Sequence, residues 1–152
     1  MIITGSLGGH DETADAQLAD LQRYVAERRL QDSISIVSAL PGVPGCVSRD
    51  ATTSLIGISD VVLLTSDQEG FLLPILEAAL HRVPVVVPRL PAVGWAGAVA
   101  RLYDTDADSS EIARLVLEAA AQPAGKAHRL ARTQYSWQNI LTTHFAQLLD
   151  GA

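Results

Sequence analysis

The stretch Val61-Val62-Leu63-Leu64-Thr65-Ser66-Asp67-Gln68-Glu69-Gly70-Phe71-Leu72-Leu73-Pro74-Ile75-Leu76-Glu77-Ala78, with Val83-Pro84-Val85-Val86-Val87 after it, decides the fold. Val61 to Leu64 is a short apolar run and predicts a strand buried on both faces, as central parallel strands are. A loop from Thr65 to Leu73 leads into a helix opening near Pro74, where a missing N–H costs nothing because the first turn has no partner for it. That helix has to stop before Pro84, which heads the strand Val85-Val86-Val87. Strand, helix and strand in this order are the unit of a parallel α/β sheet.

Working outward, the same alternation continues. Upstream, Ile2-Ile3-Thr4 is a strand cut off by Gly5 and Gly8-Gly9. Leu18, Leu21 and Val25 recur at helical spacing between Ala14 and Arg29, with Asp11 or Thr13 as the cap. Ile34, Ile36 and Val37 form a strand closed by Pro41-Gly42 and Pro44-Gly45, and Asp50 opens a short helix ending near Gly57. Downstream, a weaker strand lies between Val99 and Tyr103, and Asp108 with Glu111 forms a capping pair. The helix it opens carries Ile112, Leu115, Val116 and Ala119 on one side and is broken by Pro123 and Gly125. A final helix runs from Trp137 to Leu149 with Ile140, Leu141, Phe145 and Leu148 on one face. Residues 1–152 thus read as one doubly wound, mostly parallel, Rossmann-like α/β domain.

Composition narrows the function. Of 152 residues 48 % are hydrophobic and 18 % charged, so the chain has the means to build a core. Eleven basic against 17 acidic side chains give a net charge of −6, which disfavours nucleic acid or a polybasic membrane contact. The single Cys46 excludes an internal disulfide and a multi-thiolate zinc site. No apolar run is long enough to span a bilayer and no basic n-region opens the chain, so a cytoplasmic location is expected.

In open α/β sheets ligands bind at the carboxyl ends of strands. The loop from Ser66 to Pro74 leaves the Val61 strand at that edge and ends on a helix N-terminus, which favours anions. It brings Glu69, and the helix brings Glu77. Paired carboxylates suit the vicinal hydroxyls of sugars and riboses.

The block Glu69-Gly70-Phe71-Leu72-Leu73-Pro74-Ile75-Leu76-Glu77-Ala78 resembles the E-x7-E motif of retaining group 1 glycosyltransferases, family four, whose usual form is E-G-F-G-L-P-x-L-E-A followed by a G-x-P-V-V strand. Val83-Pro84-Val85-Val86-Val87 takes that following place. Ser59 to Ser66 resembles the run before the motif, and Tyr135-Ser136-Trp137 the Y-S-W before the last helix. Ile2-Ile3-Thr4-Gly5 is similar to an early strand and glycine loop of the nucleotide-binding domain. The resemblance implies one half of a GT-B fold: the donor-binding part of a hexosyltransferase, acting on a carbohydrate or lipid-linked acceptor. It implies Glu69 as the catalytic residue, bonded to donor-sugar hydroxyls. Gly70, Phe71, Leu72 and Leu73 would line sugar and diphosphate, Glu77 the ribose, and Gly5 and Leu40 the rest of the donor. The donor is a nucleotide-diphosphate sugar, and neither a metal nor a further cofactor is expected. Same-face attack needs no protein nucleophile, so the work is positioning and leaving-group stabilisation.

The departures carry expectations too. Leu72 stands where the motif has its second glycine, which should restrict φ and narrow the space near the sugar. Ala92-Val93-Gly94-Trp95 stands where a Gly-Gly turn is usual. The Arg and Lys that grip the diphosphate, the first central strand and the N-terminal acceptor domain all lie upstream in the family. A fragment of a two-domain enzyme, weak or inactive alone, is therefore expected, peripheral to a membrane in its full-length form. Its open sheet makes self-association reasonable. The alternative is a non-catalytic interaction module that keeps the fold.

Simpler roles stand beside these. Glu77 also reads as only a favourable charge in a first helical turn, and Phe71 and Leu73 as staples to the core. Asp104-Thr105-Asp106 reads as a turn; Trp95 and Trp137 read as packing residues, with a ligand or partner contact as the alternative for Trp95 on its Gly-flanked loop. His10 reads as a surface-loop residue, with a phosphate contact as its alternative, and His81, His128 and His144 as helical positions without a metal partner.

Overall fold

The structure is a computed structural model that describes residues 1–4, 12–43, 47–68, 70–122 and 124–146, with backbone only at 12–14 and 144. It divides into two compact units, Met1–Ser54 and Leu55–Ala152.

In the first unit β1 (Ile2–Ile3) pairs in parallel with β2 (Ser35–Ile36), Ile2 opposite Ser35 and Ile3 opposite Ile36. Between them runs α1 (Glu12–Glu27), with Val25 buried and Leu18 and Leu21 half-buried. The helix begins at Glu12, so Thr13 lies within it instead of capping it, and Asp11 is outside the described residues. It ends at Arg29, whose φ of 56° is left-handed. The Leu30 N–H reaches back to the Val25 carbonyl and the Arg29 N–H to that of Ala26. That pair of bonds is a Schellman end, with arginine where glycine is usual. A 3₁₀ turn, Val37–Ala39, follows β2. Helix α2 (Arg49–Gly57) crosses the boundary between the units, and its start is capped by Ser48, whose Oγ accepts from the Ala51 N–H at 3.2 Å.

The second unit holds the three-stranded parallel sheet β3 (Val62–Leu63), β4 (Val85–Pro88) and β5 (Arg101–Tyr103), in the order β3-β4-β5. Val62 lies opposite Val85, and Val86 opposite Arg101. This order corrects the expectation of a fully buried Val61–Leu64 strand. Among the described residues β3 pairs with β4 alone and so lies at an edge, Leu63 is 37 % exposed, and the strand buried along its whole length is β4. An edge strand has only one neighbour to cover it, so its apolar run is only partly buried here.

Alternation along β4 sorts the helices into two layers. Val85 and Val87 face Ile75, Ala78 and Ala79 of α3 (Leu73–Leu80) and Ala127 and Ala131 of α5 (Gly125–Gln134). Val86 faces the other way, with Tyr103 and with Ala119, Ile112, Leu115 and Val116 of α4 (Ser109–Ala120). Helices on both faces of a parallel sheet are the doubly wound arrangement expected. Helix α5 begins at Gly125, where only a break was expected, because its inward residues are small alanines among Lys126, His128, Arg129 and Arg132. His128 Nδ1 lies 3.0 Å from the Leu80 carbonyl and 3.2 Å from that of Ala79, so its ring ties α5 to the end of α3.

The last described helix, α6 (Trp137–Ile140), runs into a π-helical stretch, Leu141–Phe145. Ser136 caps α6 by accepting from the Asn139 N–H at 3.2 Å. The expected buried face is not found: Ile140 is half-buried, Leu141 and Phe145 are exposed, and Leu148 is outside the described residues. Residues four apart share a face, and Trp137, Leu141 and Phe145 make that face an exposed stripe. Trp137, expected to pack, is 75 % exposed.

Candidate functional site

The crossover from β3 to α3 starts at Leu64. Its N–H still donates to the Val86 carbonyl at 2.9 Å, and its own carbonyl accepts from the Tyr103 hydroxyl at 2.9 Å. Thr65, Asp67 and Gln68 are exposed, as are Gly70 and Phe71. Leu72 then turns inward, 4 % exposed, with φ 54° and ψ 60°. A left-handed leucine costs about 1–2 kcal/mol. Burying its side chain against the cluster of Ile75, Ala78 and Ala79 returns about 1.5–3 kcal/mol. Leucine therefore takes the glycine-like bend instead of restricting it, and its side chain fills the core instead of narrowing a sugar pocket, correcting both expectations.

Helix α3 begins at Leu73 with Pro74 second. Its N-cap residue, Leu72, provides no side-chain cap, and no acidic residue lies in its first turn. Glu77 is the fifth residue, not a member of the first turn as expected, so interaction with the helix end does not account for it. It is half-buried, one turn beyond the exposed Leu73 and on the same face, and helical side chains lean towards the N-terminus.

Leu73, 57 % exposed, does not staple the loop to the core, whereas Phe71, 46 % exposed, reaches it through Trp95, which packs against the core cluster. Phe71 lies flat on Trp95, ring centroids 5.0 Å apart and planes 18° from parallel. Trp95 also meets Tyr135 at 5.1 Å with a tilt of 48°. Trp95 belongs to a 3₁₀ segment, Pro91–Ala98, between β4 and β5, and Tyr135 ends α5. The Trp95 Nε1 is buried without an acceptor among the described residues. Trp95 packs as expected, but its partners Phe71 and Tyr135 were not foreseen, because no local pattern joins the three.

At the same edge of the sheet Tyr103 ends β5. Burial pushes its phenol above the usual range, and the Asp67 carboxylate adds to that. Arg89, just past β4, donates from Nε to Asp104 at 2.8 Å, and the Asp104 carbonyl accepts from the Ala107 N–H at 2.9 Å. Asp104-Thr105-Asp106 is thus a turn. Among the described residues no group of three or more His, Cys, Asp or Glu side chains is placed to hold a metal.

The second unit therefore brings Gly70, Phe71, Leu72, Leu73 and Glu77 together on one crossover. Glu69 and Gly5 lie outside the described residues. Leu40 belongs to the first unit, where its N–H donates to Val37 and its carbonyl accepts from the Val43 N–H. That amide is committed to its own turn, which leaves the carbonyl's second lone pair for any contact.

No protein-family model matches the sequence. The chain is similar to sucrose-phosphate synthase from Thermosynechococcus elongatus, with a TM-score of 0.74 and 16 % identity over 99 % of this chain and 39 % of that one. The fold is that of a GT-B Rossmann-like half. It is also 44 % identical over 79 residues to the O-antigen chain mannosyltransferase B of Escherichia coli, covering 49 % of this chain and 21 % of that protein. The chain thus spans well under half of either relative. Both relatives bear out the expected resemblance to the C-terminal domain of GT-B glycosyltransferases. No described helix is long and apolar enough to cross a membrane.

Proposed function

We propose that the chain is the donor-binding part of a retaining hexosyltransferase, taking a nucleotide-diphosphate sugar at the β3–α3 crossover. The observation that carries this is the helix start itself: the N-cap of α3 is a leucine in a glycine-like bend that gives no side-chain cap, and Glu77 lies one turn further on. The helix dipole favours the diphosphate, although Pro74 has no N–H and that of Ile75 already donates to the Leu72 carbonyl. Glu77 accepts the ribose hydroxyls, and Glu69 the hydroxyls of the sugar. Transfer with retention then asks the protein to orient the donor and to stabilise charge on the departing diphosphate. The similarity to a mannosyltransferase supports a hexose donor. An N-terminal domain supplies the acceptor, and the 152-residue chain by itself turns over donor weakly or not at all.

Calorimetric titration with GDP-mannose and UDP-glucose tests the reading. Binding of one of them is expected. Glu77→Ala should weaken it about tenfold to a hundredfold, the range for hydrogen bonds to a charged acceptor. Equal affinity in the variant removes Glu77 from the site. A non-catalytic module is favoured by one observation, the exposed Trp137, Leu141 and Phe145 stripe, and the absence of binding at millimolar nucleotide would select it.

A further inference from the structure

Trp95 is left unused by the function proposed above, yet two departures from the glycosyltransferase motif meet at it. Leu72 replaces a glycine, and Trp95 stands in a segment where the family has a glycine turn. Phe71, the residue before Leu72, lies flat on the Trp95 indole, and Tyr135 packs against the same ring system. Three non-glycine residues take positive φ among the described residues: Arg29, Leu72 and Arg82. Both arginines are held by paired backbone bonds at helix ends; at Arg82 these run from Val83 to Ala78 and from Arg82 to Ala79. Leu72 stands at a helix start, without a side-chain cap. Its carbonyl accepts from the Ile75 N–H at 3.0 Å, and packing on two sides adds to that single bond, with Leu72 inward in the core and Phe71 outward on Trp95. The indole is not anchored by a hydrogen bond, since Nε1 has no acceptor among the described residues, so stacking is what Trp95 contributes.

We propose that Trp95 is a positioning residue: the Tyr135–Trp95–Phe71 stack holds the Gly70–Leu72 backbone in its left-handed bend, so that the loop is presented to a ligand already shaped. An ordered loop has less freedom to lose on binding, which raises affinity. The consequence for affinity rests on the donor-site reading; the consequence for the backbone does not.

The test is amide ¹⁵N relaxation on the 152-residue chain, its Trp95→Ala and Trp95→Phe variants, with GDP-mannose titrated into each. In Trp95→Ala the order parameters of Gly70, Phe71 and Leu72 should fall from about 0.85 to below about 0.6, with those of β4 and α4 unchanged. Trp95→Phe keeps a ring and loses no hydrogen bond, so it should restore the rigid values. Where donor binds, Trp95→Ala should weaken it about tenfold, about 1.4 kcal/mol. Unchanged order parameters in Trp95→Ala would overturn the proposal, and so would a Trp95→Phe loop as mobile as the alanine one. Should Trp95→Ala fail to fold, Phe71→Ala removes the same contact from its exposed partner and must mobilise Leu72 alike. A loop that responds to Trp95 but binds no donor upholds the positioning role and sinks the donor site instead.

Discussion

Two crossovers leave the same edge of the same sheet and end differently. From β5 the chain makes a turn at Asp104, and Asp108 then caps α4 by accepting from the Ser110 and Glu111 N–H groups at 2.8 and 2.9 Å. From β3 it passes through exposed Gly70 and Phe71, bends at a left-handed leucine, and enters α3 with no side-chain cap. The first crossover uses its helix donors internally, and its acidic residues are accounted for by a turn, an ion pair and a cap. The second forgoes the cap and adopts a costly backbone conformation. A helix start built at a cost and without a cap from its own N-cap side chain is the one the proposed ligand would use, and a self-satisfied one is structural.

The largest expected effect tests the bend. Leu72→Ala deletes a buried leucine and keeps the left-handed backbone, which should lower stability by about 2–4 kcal/mol. Leu72→Gly deletes the same side chain and more, yet relieves the backbone penalty. It should therefore unfold at higher urea than the alanine variant, by about 1 kcal/mol. At ordinary helix positions glycine is the worse of the two. A glycine variant less stable than the alanine one would show that Leu72 is not strained, and the contrast between the crossovers would lose its basis.

The sequence made much of this comparison legible, but not all. The Asp108–Glu111 spacing announced the capped helix, and the β-branched runs announced parallel strands, because both signals are local. The identity of the central strand was not local. Val61–Leu64 and Val85–Val87 are equally apolar, and only the order β3-β4-β5 makes one an edge. Helix α5 went unseen because it buries alanines, which carry little periodic signal. Glu69 and Glu77 were singled out by motif, as was the loop between them, and of the two only Glu77 is among the described residues. The inward turn of Leu72 and the partner of Phe71 depend on Trp95 and Tyr135, residues distant in sequence that no local pattern joins to the loop.

The two crossovers are also tied together, and the tie can be cut. Tyr103, at the end of β5, donates to the carbonyl of Leu64, where the open crossover begins. Tyr103→Phe should cost about 1 kcal/mol, measured by urea denaturation at neutral pH. Burial first and the Asp67 carboxylate second raise the phenol's pKa in the folded protein. Folding therefore favours the neutral phenol. That contribution is complete below pH of about 10, the unfolded value, and is lost as pH rises through the higher folded one. The stability difference between wild type and Tyr103→Phe should shrink across that window, and Asp67→Asn should bring its upper end down. A difference independent of alkaline pH would place the phenol outside the core.

A smaller gain is expected at the other end of α3. Arg82 has φ 61° in a Schellman end, where glycine carries no steric penalty. Arg82→Gly should stabilise the fold by about 0.5–1 kcal/mol, read from the urea midpoint. Loss of stability there would mean that the arginine side chain contributes more than its backbone costs, and the left-handed penalty assigned to Leu72 would need the same revision.

The smallest effect belongs to the capped crossover and is a matter of pH. Bonds from the Ser110 hydroxyl first, then from the Glu111 and Ser110 N–H groups, hold the Asp108 carboxyl below the usual carboxylate range. A depressed folded pKa stabilises the fold above the unfolded value of about 3.9, and the benefit is lost as pH falls through that value towards the folded one. Asp108→Asn keeps a capping oxygen but does not titrate. Wild type should therefore be the more stable of the two near pH 6, and the gap should close on acidification below about pH 4. If the gap between wild type and Asp108→Asn were constant with pH, the cap would not depend on charge, and the two crossovers would differ in shape alone.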